Sequence, residues 1–136
     1  VPIGKGIVRR AGRDVTIVGK LLTVYKALEA AELLAAEGID CEVIDPRTVA
    51  PLDVETIIRS VAKTGRLLIV DEDFAHCGVS AEIAAQLADL GCDELDAPIR
   101  RLNGTASPTP YSPTLEAAMV PNTETIAQAI RDLCAE

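Results

Sequence analysis

The sequence predicts an α/β fold: three layers, αβα, around a mostly parallel twisted sheet of about five strands, with one edge strand running antiparallel. Three observations carry that expectation. Short β-branched or leucine-rich runs alternate with longer stretches whose apolar residues recur at helical spacing, and the connections between them are short. Aromatic residues make up only 2% of a chain that is 49% hydrophobic, so its core must be Ala, Val, Ile and Leu interdigitating between helices and sheet. A length of 136 residues suits one domain with a sizeable core.

Each element follows from local pattern. Ile7-Val8 before Arg9-Arg10, entered through Gly4 and Gly6, reads as a short edge strand. Val15 to Val18 is apolar or β-branched throughout and stops at Gly19, as a central strand would. Thr23 to Glu37 is a helix with Val24, Ala27, Leu28, Ala31, Leu34 and Ala35 on one face and Gly38 as its stop. Cys41 to Asp53, CEVIDPRTVAPLD, is the organising stretch: a buried strand ended by Asp-Pro, an ionic exit with Asp45, Arg47 and Thr48, and Asp53 capping the next helix. That helix carries Val54, Ile57, Ile58 and Val61 inward and ends near Gly65. Leu67 to Val70 is an uninterrupted apolar strand running into Asp71-Glu72-Asp73, and a third helix spans Ser80 to Leu90. Ile99 to Leu102 is another parallel strand, and Asn103 to Pro113, with three prolines, is a loop. Leu115 to Met119 forms a helical turn broken by Pro121, and Thr123 to Cys134 is a terminal helix with Ile126, Ala129, Ile130 and Leu133 inward.

Composition excludes several function classes. The net charge of −8 and the absence of tryptophan give a nucleic acid neither a basic face nor a stacking platform. No apolar run approaches the roughly 20 residues that span a bilayer, so no membrane partner is expected and the chain reads as cytosolic, or from the mitochondrial matrix in a eukaryote. Cys41, Cys77, Cys92 and Cys134 are spaced too widely for a metal knuckle or a compact disulfide framework and read as reduced, mostly buried thiols. A chain opening on Val-Pro-Ile without methionine reads as a domain, residues 1–136, excised from something longer.

The candidate chemistry is incomplete. The spacing of Gly12 and Gly19 is wrong for a Walker loop, Lys20 is followed by Leu21, and Gly19 stands alone where a dinucleotide turn needs three glycines. Asp71, Glu72 and Asp73 alternate in direction along an extended segment, which favours helix capping or an ion pair over a cation site. His76 and Cys77 are adjacent, a poor geometry for proton abstraction, and no second histidine exists. Asp45 with Arg47 reads as a charge pair orienting its loop. Thr105, Ser107, Thr109 and Ser112 lack a general base. No catalytic, cofactor-binding or metal-binding residue is assigned.

In order along the chain, IGKGIVRRAGRDVTIV, ALEAAELLAAEGIDCEVIDPRTVAPLD, TIIRSVAKTGRLLIVDE, GVSAEIAAQL, LDAPIRRL and PTPYSPTLEAAMVPN resemble one family over essentially the whole chain. It is the C-terminal, transketolase-like domain of the beta subunit of thiamine-diphosphate-dependent 2-oxoacid dehydrogenases, with VIDPRT nearest the pyruvate and acetoin branches. The resemblance implies an enzyme of two alpha and two beta subunits that decarboxylates a 2-oxoacid and reductively acylates lipoyl groups. Thiamine diphosphate and magnesium belong to the full enzyme and neither is bound by this domain, which alone is expected to be inert. Its implied partners are the alpha subunit, a second beta subunit and the peripheral-subunit-binding domain of the dihydrolipoyl acyltransferase; a homodimer of the isolated domain is also expected.

By position in LDAP, Asp96 matches the family's acidic contact to that binding domain, and the C-terminus at Glu136 belongs to the same contact. Two departures bear on partner choice: Tyr25 stands where many relatives have histidine, and Ala106 where many have aspartate. The alternatives are the equivalent domain of transketolase or 1-deoxyxylulose-5-phosphate synthase, and a freestanding α/β binding module.

Overall fold

The computed structural model describes residues 2–135. Five strands, β1 (Ile7–Arg10), β2 (Val15–Gly19), β3 (Cys41–Asp45), β4 (Leu67–Val70) and β5 (Arg100–Leu102), form one sheet in the order β1-β3-β2-β4-β5. The pairs β2/β3, β2/β4 and β4/β5 are parallel, and β1 runs antiparallel to β3 at the edge. This is the expected three-layer fold.

Side-chain alternation along the strands builds two cores, because successive residues point to opposite faces. On one face Val15, Ile17, Val43, Leu68 and Val70 pack under α1 (Leu22–Ala35) and, after the short α4 (Pro113–Met119), the terminal helix α5 (Thr123–Cys134). On the other face Val18, Ile44, Leu67 and Ile69 pack under α2 (Val54–Thr64) and α3 (Val79–Gly91). Burial on both faces explains why β4 reads as an uninterrupted apolar run and β2 as an unbroken β-branched one.

The caps sit where the sequence places them. Asp53 Oδ1 accepts the Thr56 amide to open α2, and Gly65 closes it at φ 68°, a left-handed conformation that glycine adopts without steric cost. Asn122 and Thr125 form a reciprocal capping box on α5. Two helical faces differ from expectation. In α1 the core takes Ala30 while Ala35 is exposed, because the helix ends at Ala35 and the chain turns through Gly38. In α5 the core takes Ala127, and Ala129 is only half-buried, because the helix turns Ala127 toward α1.

One buried network does not follow from local pattern. Glu42 and Thr16 face the α2 side of the sheet, where Glu42 accepts from Ser60 Oγ, Lys63 Nζ and the Gly12 amide, and Thr16 Oγ1 bonds both Ser60 and Thr64 at 2.7 Å. Burial pushes the Glu42 carboxyl up, but the bonds from Lys63, Ser60 and Gly12 outweigh it and leave its pKa below the ordinary value. The signal is an acid inside a buried strand, with Ser60 and Thr64 one helical turn apart on the facing stripe.

Candidate functional site

The parallel strands end in loops that leave the sheet toward opposite faces: α1 follows β2 on one side and α3 follows β4 on the other. Adjacent strands that part in this way open a crevice where α/β sheets commonly hold ligands. Here an ion pair fills it. Lys20 Nζ lies 2.9 Å from Asp71 Oδ1, and Asp71, 1% exposed, also accepts the Asp73 amide at 3.1 Å and the Ser80 amide at 3.2 Å. Asp71 therefore caps α3 from the neighbouring strand exit and neutralises Lys20. The expected alternatives, capping or ion pairing, are both realised in one carboxylate. Glu72 diverges as expected and lines a separate hollow with Phe74, Gly104 and Glu116.

The β3 exit is pinned through carboxylates. Asp45 accepts the Arg47 amide at 3.0 Å and pairs with the Arg47 and Arg9 guanidinia at 3.6 and 3.8 Å. Thr48 Oγ1 donates to the Pro51 carbonyl and accepts from the Gly4 amide, and Asp53 accepts from the Gly6 amide, so the leading segment is fastened across this loop. Burial pushes the Asp53 carboxyl up, yet its bonds from Gly6 and Thr56 hold the pKa below the usual range.

Between the exits of β2 and β3 lies a cleft of about 460 Å³ that sequence reasoning did not find. Arg9, Lys20 and Arg47 stand around it with Leu21, Tyr25 and Val49, and the Arg9 guanidinium sits 5.8 Å from the Tyr25 ring centre. Leu21 and Arg47 hold φ of 51° and 64°, a region that costs non-glycine residues on the order of 1–2 kcal/mol. Lys20-Leu21 signalled only a failed phosphate motif, and pairing with Arg9 required the antiparallel edge strand to be in place.

Asp96 lies at the opposite edge. Its amide donates to the Gly65 carbonyl at 2.7 Å, and its exposed carboxylate occupies the space that a Cβ on Gly65 would need. The end of α5 comes to the same end of the sheet, since Cys134 and Ala97, the neighbour of Asp96, both pack on the core cluster under α1 and α5; burial raises the pKa of the Cys134 thiol. Glu136 lies outside the described residues.

The remaining candidates are not assembled into chemistry. His76 and Cys77 are exposed, and no hydrogen bond links them among the described residues. Cys77 corrects the expectation of mostly buried thiols: Cys41 is buried, its pKa raised by burial to about 12, and Cys134 is half-buried. The side chain of Cys92 lies outside the described residues. No cluster of three or more His, Cys, Asp or Glu among the described residues could hold a metal ion, and no helix among them is long and apolar enough to cross a membrane. The turn after β2 offers no phosphate cradle: Lys20 is taken by Asp71, and leucine rather than glycine holds the turn.

Comparison with known proteins agrees with this architecture. The chain is 48% identical over 96% of its length to the mitochondrial pyruvate dehydrogenase E1 component subunit beta of Dictyostelium discoideum. It is 43% identical over its full length to the acetoin:2,6-dichlorophenolindophenol oxidoreductase subunit beta of Bacillus subtilis. It spans 37% and 40% of those relatives. A solved chain of a split-gene transketolase, an inactive beta4 tetramer, superposes with a TM-score of 0.84 at 28% identity, covering 99% of this chain and 44% of that one. Residues 4–126 match the family described as transketolase, C-terminal domain, and the chain belongs to that family.

Proposed function

We propose that this chain is the assembly and docking domain of the beta subunit of a thiamine-diphosphate-dependent 2-oxoacid dehydrogenase, with pyruvate as the 2-oxoacid. The observation that carries this reading is identity of 43–48% to pyruvate- and acetoin-acting beta subunits across at least 96% of the chain. Catalysis, thiamine diphosphate and magnesium are assigned to the rest of the enzyme, because the turn after β2 offers no phosphate cradle. The chain's own role is to hold an alpha subunit and a second beta subunit, and to present Asp96 and the C-terminus near Glu136 to the peripheral-subunit-binding domain of the acyltransferase. The exposure of Asp96, and the packing of Cys134 at the end of α5 on the same cluster as Ala97, support that pairing. An acidic contact suits a basic binding domain, since opposite charge speeds encounter and fixes register.

The experiment is titration of the chain with the acyltransferase binding domain at low and moderate salt. Saturable binding that weakens with salt, and weakens about tenfold (~1.4 kcal/mol) in Asp96→Arg, is expected. Unchanged affinity in that variant removes Asp96 from the contact. A second reading, the equivalent domain of a sugar-phosphate thiamine enzyme, draws on the likeness to split-gene transketolase. The absence of Lys and Arg from residues 103–118 weighs against it, because a phosphate anchor in that loop would need one.

A further inference from the structure

The cleft between the β2 and β3 exits gathers cations beside uncovered apolar surface in a chain that is acidic overall. Lys20 is spent on Asp71, but Arg9 and Arg47 share the single carboxylate of Asp45. The cleft therefore holds one positive charge in excess, within a chain whose net charge is −8. At 3.6 and 3.8 Å the two arginine pairs are looser than bidentate guanidinium–carboxylate bonds, which close to about 2.8 Å, so both forks keep donors for a second acceptor.

The opposite wall is apolar and open. Leu21, Tyr25 and Val49 are 75%, 56% and 45% exposed, and Leu21 and Arg47 are held at positive φ by their neighbours. Thr23 fixes the turn at Leu21 by bonding the Lys20 amide and carbonyl, and Asp45 fixes Arg47 through its amide. A volume of about 460 Å³ falls in the range of small-molecule sites. We propose that this cleft binds a small monocarboxylic acid, its carboxylate between Arg9 and Arg47 and its apolar body against Leu21, Tyr25 and Val49. A single excess charge selects a monoanion. A phosphate ester, near −2 at neutral pH, would leave uncompensated negative charge beside Asp45.

The test is a protein-observed NMR titration of the full chain with phenylacetate and hexanoate, alongside phenylacetamide, phenyl phosphate and an acidic aromatic peptide. The expected result is saturable shifts at the Leu21, Arg47 and Val49 amides with the acids, with affinity at least tenfold weaker for the neutral amide. Arg47→Gln should weaken the acids about tenfold. Val49→Glu, which leaves the Asp45–Arg47 turn untouched and places a competing carboxylate in the cleft, should abolish binding. Equal binding of acid and amide, shifts mapping elsewhere, or undiminished binding in Val49→Glu would each overturn the assignment. So would tighter binding of phenyl phosphate, or a response to the peptide with none to the free acids.

Discussion

The two ends of the parallel strands handle charge in different ways. Toward the N-terminal end, the Glu42 network closes on itself: every polar group among Glu42, Thr16 and Ser60 has a partner, and the carboxylate is 2% exposed. At the C-terminal end the Lys20–Asp71 pair is equally closed, but beside it two arginines share one aspartate and three large apolar side chains face solvent. Closed networks hold elements together. An open one leaves free energy available for a partner.

If that contrast is right, the largest loss of stability should come from breaking the closed pair in the crevice. Asp71→Ala leaves Lys20 without its partner and the Ser80 amide without an acceptor, both largely out of water. Removing one member of a buried pair costs about 3–5 kcal/mol, and the quarter exposure of Lys20 places this case near 3 kcal/mol. Chemical denaturation would read it as a shift in midpoint, and thermal melting as a fall of roughly 10 °C. A loss below about 1 kcal/mol would mean that the crevice is not sealed and could admit a ligand after all.

The Glu42 network comes next, at about 2 kcal/mol for Glu42→Gln, because Lys63 is half-exposed and can turn to water when its partner is neutralised. Its signature is pH. The folded pKa of Glu42 lies below the unfolded value of 4.5, so its contribution is fully present above that value and is lost as pH falls through the folded pKa. Stability of the parent chain should drop across this acid window more steeply than that of Glu42→Gln. Parallel profiles would show that the network is held by packing and not by charge.

Most of the frame was legible because each part rests on local pattern. The apolar runs of β2 and β4, the Asp53 cap and the Gly65 stop depend on residues close in sequence. The contacts that distinguish the two ends do not. Lys20 meets Asp71 only because β4 lies beside β2, and Arg9 reaches Asp45 only because β1 runs antiparallel to β3. Strand order is a property of the whole sheet, so a chain read element by element could name Asp45–Arg47 but not Arg9, and could reject a phosphate motif at Lys20 without finding its partner.

The smallest effect should be Tyr25→Ser, and it separates the two ends most cleanly. Tyr25 is more than half exposed, and the Arg9 guanidinium over its ring is worth about 0.5–1 kcal/mol at an exposed site. Serine and tyrosine have similar helix propensities, and the exchange removes apolar surface from water. Stability should therefore change by less than about 1 kcal/mol, while binding to the cleft, which uses the ring as a wall, should fall severalfold. A melting temperature lowered as far as that of Asp71→Ala would show that the ring holds the fold together, and the C-terminal end would then be as closed as the other.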